Sequence, residues 1–238
     1  MKIAVVGAGI TGCLLAKLLD SESTKVTVFE KSRGCGGRAS TKRTQWGQFD
    51  LGATVVPAKS AAFKQFMLEL CEQDLANSWP SKIHSTQKDA GILTSIQNDI
   101  SDRASFVFNH KMNAACRQWI RQAKLYTGSL ITELRYSERK GWQVKIEDVW
   151  HAEYFDKLVV TAPWPQSQPL IENSLLSFSM PKFEQHWTSC WSVAMHVAPK
   201  SNIDIDLVYL KGLAVQTLVR DSAKPNRQLT ESTQSTDA

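Results

Sequence analysis

Apolar positions are densest at the N-terminus. Lys2-Ile3-Ala4-Val5-Val6 is a short apolar run, as expected of a strand buried on both faces of a parallel sheet. Leu14, Leu15, Leu18 and Leu19 fall at helical spacing and predict one apolar helix face over two turns. Lys25-Val26-Thr27-Val28-Phe29 predicts a second strand. Residues 49–53 read as a short strand running into a tight turn, Ala61–Glu72 as an amphipathic helix, and residues 114–123 as another helix. Residues 129–134 and 142–146 alternate about Lys140-Gly141, the pattern of a hairpin. Residues 158–160 form a continuous apolar run rich in β-branched residues, a buried parallel strand ended by Pro163 and Pro165. Trp191, Val193, Met195 and Val197 share one face of a predicted strand within 187–197, with Ser192, Ala194 and His196 on the other. Residues 207–219 predict two further strands. Between 77 and 109 the pattern is weak and only short strands are expected; from Gln228 the chain is polar and Ser/Thr-rich, a disordered tail.

Gly7-Ala8-Gly9-Ile10-Thr11-Gly12 joins the first strand to the first helix as a G-x-G-x-x-G loop. Glu30 closes the second strand, eighteen residues past Gly12. Strand, loop, helix, strand and acid in this order are the parts of a βαβ dinucleotide-binding unit. Gly7 allows the tight turn, Gly9 lets backbone N–H groups approach a pyrophosphate, and Gly12 lets helix and strand pack closely. The helix N-terminus adds free donors and a positive dipole end. The Glu30 carboxylate is expected to accept from ribose hydroxyls. A second glycine cluster follows in Lys31-Ser32-Arg33-Gly34-Cys35-Gly36-Gly37-Arg38. A plain nicotinamide dehydrogenase has no need of it, so it argues for FAD over NAD, with Arg38 offering a donor fork to a pyrophosphate.

Composition narrows the reading. A net charge of +5 without a basic block argues against a nucleic-acid partner. No uninterrupted apolar run is long enough to span a bilayer, so no membrane partner is expected. Five cysteines without a C-x-x-C read as reduced thiols, and the first strand begins at residue 2 with no charged leader before it, so a cytoplasmic protein is expected. The five histidines show no metal-ligand spacing, and no G-x-S-x-G elbow is present.

The G-A-G-I-T-G loop, Glu30, R-G-C-G-G-R-A-S-T and F-D-L-G-A together resemble the N-terminal part of the FAD-dependent amine-oxidase superfamily. Within it the pattern is similar to the renalase-like flavoproteins. K-M-N-A-A-C from Lys111, the segment Phe155 to Pro163, C-W-S-V-A from Cys190 and the Arg220 to Pro225 loop carry the narrower resemblance. It implies an α/β fold in which a Rossmann-type FAD/NAD(P)-binding domain (1–75 and 107–165) is interleaved with a smaller, mostly antiparallel β-sheet substrate domain (76–106 and 166–227), before a tail at 228–238. It implies that FAD is held by Gly7, Gly9, Ile10, Thr11 and Gly12 of the first loop and by Glu30, Lys31, Gly37 and Arg38. Gly52, Ala53, Ala162 and a backbone group near Ile131 complete that set. No catalytic side chain and no metal are implied. The chemistry implied is hydride transfer from a dihydronicotinamide-like small molecule to flavin N5, with reoxidation by dioxygen to hydrogen peroxide. Amine oxidation, a simple NAD-dependent reductase and a truncated nucleotide-binding protein without turnover are the alternatives. The last rests on the family's C-terminal Gly-Asp motif and helix, which this sequence does not contain, so that the chain as given is expected to hold FAD weakly.

Overall fold

The structure is a computed structural model of the chain that describes residues 1–45, 47–89, 92–93, 97–98, 104–174, 187–197 and 205–227. The predicted tail lies outside the described residues. Contact density divides the chain into two units, Met1–Arg38 with Ala115–Trp191, and Ala39–Ala114 with Ser192–Ala238.

In the first unit, β1 (Lys2–Val6), α1 (Ile10–Leu19) and β2 (Lys25–Phe29) form the expected βαβ crossover, and β1 and β2 pair in parallel. The sheet has four parallel strands in the order Lys124–Tyr126, β2, β1, Lys157–Val160. The helix expected over residues 114–123 stops at Trp119, and the strand Lys124–Tyr126, which the sequence pattern did not predict, follows it. Lys157–Val160 is parallel as expected but half-buried along Leu158–Val160, because it is an edge strand. Successive β1 side chains alternate between sheet faces. Ala4 and Val6 join Phe29, Ile131, Leu134, Val144, Phe155 and Leu170 in a buried cluster that a three-stranded antiparallel sheet covers. That sheet is the expected hairpin, Ile131–Ser137 with Gly141–Ile146, extended by Val149–Trp150. Phe29 stacks on Tyr126 at 5.3 Å between ring centroids and meets Phe155 edge-on at 5.9 Å. The sequence Pro163-Trp164-Pro165, expected only to end a strand, opens the helix Trp164–Glu172. Proline is tolerated in a first helical turn, where no intrahelical N–H bond is lost.

The leucines of α1 are not its buried face. Gly12, Cys13 and Ala16 are buried, whereas Leu18 is 71% exposed. Small residues face the sheet because α1 approaches β1 very closely: a Cβ on Gly12 would lie 2.0 Å from the Gly7 carbonyl oxygen.

The second unit contains the predicted helix Ala61–Glu72, N-capped by the Ser60 hydroxyl, which accepts from the Phe63 N–H. It holds an antiparallel sheet of Val56–Pro57, Ser105–Phe108 and Ala76–Ser78. A second sheet pairs Leu207–Lys211 in parallel with Ile83–Asp89 and antiparallel with Thr217–Val219. Instead of a strand over 49–53, Lys42–Thr44 pairs with Gly47–Phe49, and the chain from Asp50 to Val55 takes no regular form. Two buried carboxylates tie the C-terminal stretch into this unit. Asp206 accepts from the Ser81 N–H at 3.0 Å, the Ser81 hydroxyl at 2.9 Å and the Lys82 N–H at 3.1 Å, and lies 3.3 Å from Arg220. Asp50 accepts from Lys224 at 2.8 Å, Arg227 at 2.5 Å, the Thr41 hydroxyl at 2.6 Å and the Met112 N–H at 3.2 Å.

Residues 187–197, expected to be a strand, pair with nothing regular among the described residues and are exposed throughout, Trp191 to 93%. Alternation supplies a face; a strand also needs a partner to satisfy its backbone.

Candidate dinucleotide site

The site is assembled in the first unit from the loop between β1 and α1, the end of β2 and the second glycine cluster. Gly7 turns the chain off β1 at φ 105° and donates to the Phe29 carbonyl at 2.8 Å. The Thr161 hydroxyl sits 3.1 and 3.0 Å from the Val6 and Gly7 carbonyl oxygens, and a Cβ on Gly12 would fall 2.8 Å from that hydroxyl. Gly7, Gly12 and Thr161 are thus packed against one another, with Ala162 close by: a Cβ on Gly7 would lie 3.3 Å from the Ala162 nitrogen.

Gly9 differs from these. It caps α1 in extended backbone (φ −72°, ψ −176°) without a side-chain capping bond, and a Cβ placed there would meet nothing within 4 Å. Open space therefore lies in front of the helix N-terminus, where first-turn N–H groups have no intrahelical partner and the dipole is positive. Ile10 and Thr11 begin that turn, Thr11 exposed. The second glycine cluster forms one wall: Gly36 donates to the Ala8 carbonyl at 2.8 Å and bridges to Gly9, and a Cβ on Gly37 would lie 3.2 Å from the Gly9 Cα.

Glu30 is buried, yet no cation pairs with it among the described residues. One carboxylate oxygen accepts from the Ala8 N–H at 2.7 Å and the other from the Ser32 N–H at 2.8 Å. These bonds aim the carboxylate beside the phosphate loop and leave lone pairs on both oxygens for further donors. The segment leading to Ile131 is fastened here as well, since Ser129 donates to the Glu30 carbonyl and Gly128 to that of Ser32, each at 2.9 Å. Ile131 itself is buried in the core cluster, so only its backbone neighbourhood is near Glu30.

Lys31 donates to Gln166 at 3.0 Å. Arg38 is exposed, its guanidinium 5.5 Å from the Trp187 ring centroid. Gly52 and Ala53 belong to the second unit, two and three residues past the buried Asp50. The structure thus brings together Gly7, Gly9, Ile10, Thr11, Gly12, Glu30, Gly37 and Ala162 about one loop. Thr161 and the Ser32 amide belong with them and escaped sequence reading, because a hydroxyl bonding carbonyls across more than 150 residues leaves no local pattern. An open cradle of amides with a carboxylate beside it suits an ADP-type dinucleotide.

Residues 5–70 match the family model of the NAD(P)-binding Rossmann-like domain. A 56-residue stretch is 45% identical to 4,4'-diapophytoene desaturase (4,4'-diaponeurosporene-forming) of Staphylococcus aureus; it covers 24% of this chain and 11% of the relative. In overall fold this chain is similar to an oxidoreductase from Methanosarcina mazei (TM-score 0.54, 16% identity, 71% of this chain and 61% of that one). It is likewise similar to a protein of Exiguobacterium sp. 255-15 provisionally assigned as a protoporphyrinogen oxidase (TM-score 0.63, 10% identity, 97% and 75%). At these identities the structural likeness speaks for the fold, which is α/β with a parallel sheet of Rossmann type. Among the described residues, no helix is long and apolar enough to cross a membrane, and no cluster of His, Cys, Asp or Glu is arranged to hold a metal ion.

Proposed function

We propose that this protein is an FAD-dependent oxidoreductase of the renalase and amine-oxidase type, acting on a small dihydronicotinamide-like substrate in the cytoplasm, with neither nucleic acid nor membrane as partner. The observation that carries the reading is the open space at Gly9, walled by a second glycine cluster that bridges to it through Gly36. In this reading the first-turn amides of α1 bind the diphosphate, and Gly9 and Gly37 keep side chains out of its path. Glu30 holds the adenosine ribose, and the backbone before Ile131 lies toward the adenine. Lys31 and Arg38 contribute positive charge, and Ala162 lies beside the Gly7 turn of the same loop. When bound, flavin supplies the hydride acceptor and the reaction with dioxygen. The chain's part is to bind, orient and screen the reacting pair; hydride transfer asks for no acid–base side chain.

The test is the absorbance spectrum of the purified protein reconstituted with FAD, followed by anaerobic bleaching. Flavin that is taken up on reconstitution and bleached faster by dihydronicotinamide isomers than by biogenic amines is the expected result. Faster bleaching by amines would move the protein to amine oxidation. ADP binding without any flavin uptake would leave a nucleotide-binding protein and overturn the redox reading.

A further inference from the structure

The turn at Gly7 is held from both strands that flank β1. In a regular strand the N–H and C=O of one residue point to the same side. Gly7, at φ 105°, departs from that pattern. Its N–H donates to the Phe29 carbonyl at the end of β2. Its carbonyl points the other way, to the Thr161 hydroxyl at 3.0 Å, just past the Lys157–Val160 strand. β1 lies between these two strands. No backbone N–H donates to the Gly7 carbonyl among the described residues. The Val6 carbonyl, by contrast, already accepts from the Thr161 N–H at 2.9 Å, and the hydroxyl 3.1 Å away is a second donor there. The single hydroxyl proton is therefore needed at Gly7.

The Gly7 carbonyl and the Ala8 N–H are opposite ends of one planar peptide unit. The Ala8 N–H donates to a Glu30 carboxylate oxygen at 2.7 Å. One peptide thus joins Thr161 on one side of β1 to Glu30 on the other. Fixing its carbonyl fixes its plane, and the plane sets where its N–H meets the carboxylate. A hydrogen bond at each end also polarises the peptide, so that each strengthens the other. The second Glu30 oxygen is held by the Ser32 N–H at 2.8 Å. Two amides therefore place the carboxylate, and the Ala8 amide answers to Thr161.

We propose that Thr161 is a positioning residue of the dinucleotide site: its hydroxyl holds the Gly7–Ala8 peptide so that the Glu30 carboxylate faces the ribose. The proposal rests on the ADP-type reading of the loop. Thr161 itself touches no ligand and acts through the peptide and Glu30. Valine at this position would keep the β-branched shape and leave the Gly7 carbonyl without its donor. The peptide is then free to tilt, and the bond from Ala8 to Glu30 weakens. Serine would keep the hydroxyl and lose only a methyl group.

The experiment begins with the full chain free of ligand. Amide hydrogen exchange by NMR compares Ala8 with Val5, inside β1. In Thr161→Val the Ala8 amide should exchange severalfold faster while Val5 keeps its rate, and Thr161→Ser should return Ala8 to the parent's value. A merely loosened fold would speed both amides. ADP calorimetry then reads the site. Thr161→Val should bind about 3- to 10-fold more weakly, the effect of one lost hydrogen bond, and Thr161→Ser should bind like the parent. In a Glu30→Ala background, Thr161→Val should cost almost nothing further, because the group it positions is gone. An unmoved Ala8 amide, no rescue by serine, or the full loss of ADP affinity in the Glu30→Ala background would each overturn the proposal. A parent chain that binds no ADP would overturn the dinucleotide reading and with it the binding role. The Ala8 amide would still report the coupling, so the two failures are distinguishable.

Discussion

Two glycines of one loop should respond to the same substitution in opposite ways. A methyl at Gly12 would sit 2.0 Å from the Gly7 carbonyl oxygen and 2.8 Å from the Thr161 hydroxyl, and the first of these is backbone that cannot rotate away. α1 must then lift from β1, an overpacking cost of about 1–3 kcal/mol or more. For a protein of this size that lowers Tm by about 2–4 °C per kcal/mol. A methyl at Gly9 would meet nothing within 4 Å, and its backbone is in a region any residue adopts. Gly9→Ala should hold stability to within about 0.5 kcal/mol. It should nevertheless fill the space the diphosphate needs, with a loss of about 1.5–3 kcal/mol of charged hydrogen bonding, or roughly 10- to 150-fold in ADP affinity. Thermal melts of both variants, paired with ADP calorimetry, separate the two effects. If Gly9→Ala melts as low as Gly12→Ala, or binds ADP like the parent, the open space at Gly9 is not the diphosphate site.

Glu30→Ala should weaken ADP and also cost stability, about 1–3 kcal/mol for the stranded buried Ala8 amide, with Glu30→Gln intermediate; an unchanged melt and unchanged ADP affinity would exclude both roles. Burial raises the Asp50 carboxyl, but Lys224, the Thr41 hydroxyl and Arg227 outweigh it and hold the group below the ordinary carboxylate range. Its contribution is complete above the unfolded value of about 3.9 and is lost as pH falls through the lower folded value. Acid titration of denaturant stability should therefore show a loss below about pH 4 that disappears in Asp50→Asn. That variant should also be less stable at neutral pH, by up to about 3–5 kcal/mol, with Arg227 left buried beside the amide and Lys224 keeping only its pair with Asp221. Phe155→Ala, removing a buried ring from between the two sheets of the first unit, should cost about 3–5 kcal/mol in urea unfolding.

Local chemistry alone determined the βαβ unit. Gly7, Gly9 and Gly12 at fixed spacing, an apolar run on either side and Glu30 at the second strand's end are short-range requirements of a backbone that must turn, approach a diphosphate and stop. For the same reason Ala61–Glu72 and the hairpin about Lys140-Gly141 were legible, since helical period and strand alternation are properties of neighbouring residues. Tertiary structure decided the rest. The leucine stripe of α1 lost the sheet face to Gly12, Cys13 and Ala16 because distance to β1, not hydrophobicity, sets what fits there. Three residues, Lys124–Tyr126, became a sheet strand because β2 offered an unpaired edge. Residues 187–197 had the alternation of a strand and no regular partner among the described residues. Glu30 was readable as the acid that closes the second strand, but its two amide bonds, from Ala8 and Ser32, were not. The Asp50 pair with Lys224 was equally invisible. Contacts between residues tens to hundreds of positions apart leave no periodicity in a chain; only folding brings them within the few ångströms at which charge and hydrogen bonding act.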